Sequence, residues 1–468
     1  MHLYLIAPFH TCFGLKTSNF ADDPEYKTFW DAAARKLSVS EKETVMLLHA
    51  SKQEHLRYKV IDQDSHLLKE EVVRFTQSAL INGIIGEAIQ QADKQYLTRE
   101  QAGLIAYDAD SAQFTLLDNT VGMFEIQLRL SDKFPVSQSG FSGIIQHWTN
   151  ELCRLVVTLC YKKIIYPFIQ KLIAFDKKKL FIEAEGAHFG FPNIKTKKSK
   201  ANAFGRETPV GDPLWVSRTI IQPPDEDIRV DFFNEWIFTK EEKKCIIERL
   251  KLYREDEKNS IYLGWGNSFF YACPNSNSVK DAKRILLLTQ YFYVILDTLS
   301  LNLSFIIGAS KNLKKVSQCR EYNTTMKELV NTFSAIEIRF VDALQNLQGN
   351  REVFFRDLMG KWAFQELLGS IEKKADFCKR SINEQFQKSF KKGQMMAELL
   401  LLFLGGISLL EFTNTLIVYW FSIGVDDGIP GLYHLGKIFP PNALLWGAVF
   451  LLATFFFVYM RIYMKKSQ

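Results

Sequence analysis

LLLLFLGGISLLEFTNTLIVYWFSIG, Leu399 to Gly424, decides how this chain of 468 residues is read. Its 26 residues carry one charge. At about 1.5 Å per residue that is enough to cross a hydrocarbon core of roughly 30 Å with some tilt. The middle of the run, however, reads Glu411-Phe412-Thr413-Asn414-Thr415. A charge at the centre of a membrane helix costs about 2.5–3.5 kcal/mol on insertion scales, so it is expected to face protein or a water-filled path rather than lipid. On a helical period Gly405, Ser408, Glu411, Thr415 and Ser422 share one face, with Asn414 at its edge. The expected span therefore carries a polar stripe.

A second apolar run, ALLWGAVFLLATFFFVYM from Ala443 to Met460, has 18 uncharged residues and reads as another span. The two spans are expected at about residues 397–424 and 442–462. Between them Gly428, Pro430, Gly431, Pro440 and Pro441 mark a loop that opens on Asp426 and Asp427. Lys388, Lys391 and Lys392 precede the pair, and Arg461, Lys465 and Lys466 follow it. Basic flanks on both outer ends place both termini in the cytoplasm and the acidic loop outside. The start MHLYLIAPFH lacks a basic stretch followed by a long apolar core, so no cleavable signal is expected.

Ahead of the spans, residues 1–275 mix short β-like and helical runs, an α/β or α+β cytosolic domain. Strands are predicted near Leu3, Val45, Leu104, Phe114, Ile126, Val216 and Tyr262; helices are predicted from about Leu67 to Ala92 and from Gly143 to Ala174. After Pro274 no proline occurs until Pro430, which argues for long helices, since proline inside a helix costs about 3 kcal/mol. These are predicted over Val279–Gly308, over Val316–Leu347, and from Arg351 without a stop before the membrane. Residues 276–394 thus read as a helical stalk and residues 395–468 as a transmembrane domain. On the last helix Phe354, Leu358, Trp362, Leu368, Ile371, Ala375, Cys378, Ile382, Phe386 and Phe390 form an apolar stripe that needs a partner, either the other two helices or a second copy.

The chemistry-bearing motifs are sparse. No phosphate loop, dinucleotide fingerprint, HExxH helix or nucleophile elbow is present, and the eight histidines do not cluster at metal-ligand spacing; neither enzymatic activity nor a metal site is expected. Seven cysteines without a CxxC pair fit a reducing compartment. Net charge of +6 is modest and gives no reason to expect DNA or RNA binding. Two features suit a small anionic or base-bearing ligand. Lys195, Lys197, Lys198 and Lys200 lie on a polar segment, and Trp265 with Asn267 could stack on and hydrogen-bond a base.

An α/β domain, a stalk of long helices, a last helix running into the membrane and a second span with a short basic tail resemble the CorA-like superfamily of two-transmembrane cation transporters. The resemblance is architectural over Val279–Gln468 and loose before it. It implies a homo-oligomer, a pentamer by preference, in which the first span lines a pore. That family ends the first span in Gly-Met-Asn; here the place reads Gly424-Val425-Asp426, a departure that sets magnesium selectivity apart from the family pattern. Divergent members act as effectors in antiviral systems, type III CRISPR loci among them, opened by a nucleotide messenger.

The expectation is therefore a homo-oligomeric channel of the inner membrane, gated by a cytosolic ligand. Gly405, Ser408, Glu411, Asn414, Thr415 and Ser422 would line the path, and Gly424, Asp426 and Asp427 its mouth. Rings of Glu411 and Asn414 favour cations, a divalent one included. Two other readings stand beside it. One is a constitutive divalent-cation transporter; the other is a tethered binding or enzymatic module in which Glu411 only glues helices together.

Overall fold

The seven residues LYLIAPF, Leu3 to Phe9, carry no charge, the pattern of a strand covered on both faces. The computed structural model describes residues 1–15, 45–47, 71–75, 79–102, 104–107, 111–117, 119–131, 141–176, 181–183, 211–223, 236, 260–264, 266–310, 316–347, 349–423, 443, 446–447, 449–450, 453–454 and 457. Ten strands are found among them: β1 (His2–Leu15), β2 (Val45–Leu47), β3 (Glu71–Phe75), β4 (Ile105–Tyr107), β5 (Gln113–Leu117), β6 (Asn119–Leu130), β7 (Phe181–Glu183), β8 (Ser217–Gln222), β9 (Ser260–Leu263) and β10 (Asn267–Tyr271). They join in one mixed sheet of order β2-β3-β5-β6-β1-β8-β10-β9, with β4 on β6 and β7 on β1. The β8–β10 pair is parallel and the other pairs are antiparallel.

Strand β1 sits in the middle, between β6 and β8. Its side chains alternate between two cores, Leu3, Leu5, Ala7 and Phe9 on one face and Tyr4 and Ile6 on the other. Pro8 lies beyond the last residue of β1 paired to β8, Ile6, so its missing N–H breaks no bond of that ladder. Against the first face pack α1 (Ala79–Tyr96), α3 (Phe141–Cys160), a π-helical turn (Tyr161–Ile165) and α4 (Tyr166–Phe175); the short α2 (Arg99–Ala102) follows α1. A reciprocal cap starts α2, with Thr98 N–H donating to Gln101 Oε1 at 2.9 Å and Gln101 N–H to Thr98 Oγ1 at 3.3 Å. Trp148 Nε1–H donates to Asp93 Oδ1 at 2.9 Å and ties α3 to α1.

The second face is covered by α5 (Asn277–Ser310), α6 (Val316–Asn346), α7 (Asn350–Lys361) and the first turns of α8 (Phe364–Ile423). Ser276 Oγ accepts from Val279 N–H at 3.3 Å and caps α5. Three polar side chains buried on α5 satisfy themselves locally: Thr289 donates to Ile285 O, Thr298 to Val294 O and Asn302 to Thr298 O. One compact unit comprises Met1–Leu313 with Gln318–Ile382; the second is formed chiefly by Asn383–Gln468.

Two expectations are corrected. The helix predicted from Leu67 is a strand over Glu71–Phe75 and a helix only from Ala79, because the β-branched pair Val72-Val73 lies in a strand paired to β5. The unbroken helix predicted from Arg351 is interrupted at Ala363, whose φ of 48° is left-handed. A continuous helix would turn Trp362 and Phe364 about 200° apart. The left-handed residue lets both enter the same core, where Phe364 stacks on Phe340 at 4.8 Å and Trp362 meets Tyr293 edge-on at 6.0 Å.

Candidate functional site

Two described helices are long and apolar enough to cross a membrane, α5 and α8. They differ in what covers them. The most apolar window of α5 is 61% buried against the sheet and its neighbours, so its apolar length makes the core. In α8 the corresponding window is 0% buried. Leu400, Leu401, Phe403, Leu404, Leu409, Phe412, Val418 and Tyr419 all stand exposed around it. A helix apolar over most of its surface and left uncovered by the described residues needs lipid or further protein about it.

The switch along the apolar stripe is sharp. Phe354, Leu358, Trp362, Ile371, Cys378 and Ile382 are buried and Leu368 and Ala375 pack beside them, so the stripe is used inside the chain as far as Ile382. Beyond it Phe386 and Phe390 stack on one another at 6.1 Å, with Phe390 53% exposed.

The residues expected on the polar face all lie in α8, so the helical spacing assumed for them is realised. Ser408, Glu411, Thr415 and Ser422 fall within roughly 60° of arc, flanked by Gly405 and Asn414. Gly405, Ser408, Glu411, Asn414 and Thr415 are exposed. Thr415 donates its hydroxyl to Glu411 O at 2.8 Å and Thr413 to Leu409 O at 2.7 Å, so both are satisfied within the helix and impose no demand on lipid. The Glu411 carboxylate cannot be satisfied that way, since it has no donor of its own when ionised. Nearer the start of the run Gln394 donates to Glu398 Oε1 at 3.0 Å.

Of the second run, Ala443, Trp446, Gly447, Val449, Phe450, Ala453, Thr454 and Phe457 are described, all helical. Trp446, Phe450 and Phe457 are exposed and Thr454 donates to Phe450 O at 2.7 Å. Gly424, Asp426, Asp427, Lys195, Lys197, Lys198, Lys200 and Trp265 lie outside the described residues.

Asn267 sits at the start of β10 and is buried. Its Nδ2 donates to Trp236 O at 2.9 Å and its Oδ1 accepts from Arg218 at 3.3 Å, so the amide is engaged at both ends within the chain. Arg218 itself went unnoticed in the sequence. It is a buried guanidinium on β8 that donates to Thr149 Oγ1 at 2.6 Å, Val216 O at 2.9 Å, Gln146 O at 3.3 Å and Asn150 Oδ1. All of these acceptors are neutral, and burial pulls its pKa down to about 10, with Cys153 opposing. The arrangement locks α3 to the sheet.

In the first unit a groove of about 830 Å³ opens between the end of α5 and the first turns of α8, lined by Ile307, Gln365, Ser370, Lys373, Lys374 and Phe377 among others. Lys374 Nζ donates to Ser300 Oγ at 2.6 Å, and burial lowers its pKa, with Asp297 and Cys378 opposing. Among the described residues no group of three or more His, Cys, Asp or Glu side chains is arranged to hold a metal. Comparison with protein-family models, with curated proteins and with solved structures gives no significant match.

Proposed function

We propose that this chain is a homo-oligomeric cation channel of the inner membrane, with both termini cytoplasmic, in which α8 lines the path and the first unit answers a cytosolic ligand. The observation that carries the reading is the apolar window of α8, none of it buried among the described residues and bearing Glu411 on a narrow polar face. Two spans per chain cannot enclose a wet path, so a carboxylate in this position calls for copies arranged about an axis. The groove at Lys373 supports the ligand part, because two ammonium groups, Lys373 and Lys374, against one carboxylate, Glu366, with an amide and a hydroxyl beside Phe377, suit a polar ligand that carries a ring.

The test is cation flux through the purified full chain in liposomes, with wild type compared with Glu411→Gln and Glu411→Leu, each with and without added adenine nucleotides. A wild-type flux that falls at least tenfold in Glu411→Leu supports the path. Equal fluxes in all three proteins, or no flux under any condition, would leave α8 as an anchor.

A further inference from the structure

Ahead of the run Leu399–Gly424, α8 carries three lysines, Lys388, Lys391 and Lys392, with no carboxylate between Gln385 and Ala397. On a helix they share an arc of about 100°. Lys388 and Lys391 are exposed, and among the described residues neither has an ion-pair partner, unlike Arg351 and Arg356. Glu384 and Glu398 border the cluster, and Gln394 donates to Glu398 Oε1 at 3.0 Å.

The helix runs without a break from these lysines through the apolar run, so both share one register. On the side that holds the lysines Met395, Leu399, Leu402 and Leu409 come next, none of them polar. Ser408, Glu411, Thr415 and Ser422 lie about 180° away, on the side of the stacked Phe386 and Phe390. With Glu411 turned to the path, the lysines therefore stand on the outside of the assembly. Lys392 and Lys391 precede Met395 by about 4.5 and 6 Å along the axis, and Lys388 by about 10 Å. Two are thus level with a headgroup layer about 5–7 Å deep, and the third is within about a Debye length of it.

We propose that Lys388, Lys391 and Lys392 form a seat for the headgroups of anionic phospholipids in the cytoplasmic leaflet. An ammonium is a compact charge on a flexible stem that meets a phosphodiester oxygen without a fixed geometry, which suits a lipid that diffuses. A zwitterionic lipid offers the same phosphate with a cancelling cation beside it, so net charge decides between the two. On the path side the same lysines would repel the cations that Glu411 attracts; on the outside they meet only lipid. The inference concerns the second unit alone and rests on the membrane reading of α8.

Native mass spectrometry of the full chain, released from nanodiscs of phosphatidylglycerol and phosphatidylcholine in equal amounts, counts the lipids that it keeps. Three lysines less the two bordering acids leave one net charge, worth about a fivefold preference at a membrane surface. Wild type should therefore keep phosphatidylglycerol about fivefold over phosphatidylcholine. K388Q/K391Q/K392Q should keep the two lipids about equally, and K388R/K391R/K392R should match wild type. Equal retention by wild type or by the arginine variant overturns the proposal. So does a preference that survives in the glutamine variant, which would belong to the basic tail at Arg461, Lys465 and Lys466. A carbonate wash of reconstituted liposomes tells the two readings apart. A chain that washes off takes down the membrane reading and the proposal together, whereas one that stays and shows no preference removes the proposal alone.

Discussion

Gly122→Ala tests the first core at its tightest point. Gly122 pairs with Phe9 across β6 and β1, and a Cβ built on it would lie 2.2 Å from Phe9 Cζ, 2.5 Å from Cε2 and 2.8 Å from Cε1. Ordinary contact begins at 3.4 Å, so the ring has to retreat by more than 1 Å. It has nowhere to go: Phe9 is fully buried, edge-on to Phe114 at 6.1 Å and to Tyr161 at 6.3 Å. Overpacking of a closed core costs about 1–3 kcal/mol, and three clashing ring atoms put this site at about 3 kcal/mol. Phe9→Leu removes the atoms that clash. In that background Gly122→Ala should cost less than about 1 kcal/mol, leaving a coupling of about 2 kcal/mol in the double-mutant cycle. Urea unfolding followed by tryptophan fluorescence suits the measurement, since Trp148 and Trp236 are buried in the same core. A cost for Gly122→Ala below about 0.5 kcal/mol, or one that is the same with Leu at position 9, would refute the argument.

Two further substitutions probe other joints. Arg218→Met should destabilise the first unit by about 2 kcal/mol in the same assay, because the orphaned acceptors at Thr149, Asn150 and Asn267 outweigh the relief of a buried charge; a change under about 0.5 kcal/mol would count against the lock between α3 and the sheet. Ala363→Gly should stabilise by about 0.5–1 kcal/mol, since glycine adopts the left-handed conformation at no steric cost, and destabilisation would show that the alanine methyl does more in the core than its backbone angle costs.

The sequence disclosed those elements whose pattern is local. The uncharged run of β1, the alternation in β5 and β6 and the prolineless stretch behind α5 and α6 all produce a signal in a short window, and each element is found where it was expected. What escaped depends on distant partners. β3 looks helical until β5 pairs with it, and β10 is five residues whose place is fixed by β8 alongside. The break at Ala363 follows from the need of Trp362 and Phe364 for one core, which no propensity records. For the candidate site the polar face of α8 was legible from spacing, whereas the Arg218 network was not. Asn150 and Arg218 are 68 residues apart and only the fold introduces them.

Among the described residues, α1 to α4 on the sheet's first face precede β8 in the chain, α5 to α8 on the second follow β10, and the helical Trp236 of the first core lies between β8 and β9. During synthesis every described strand is therefore made before the helices that pack over Tyr4, Ile6, Val121, Met123, Ile221 and Phe270. For the time that the ribosome takes to make α5 through the first turns of α8, these six side chains wait for the helices that bury them.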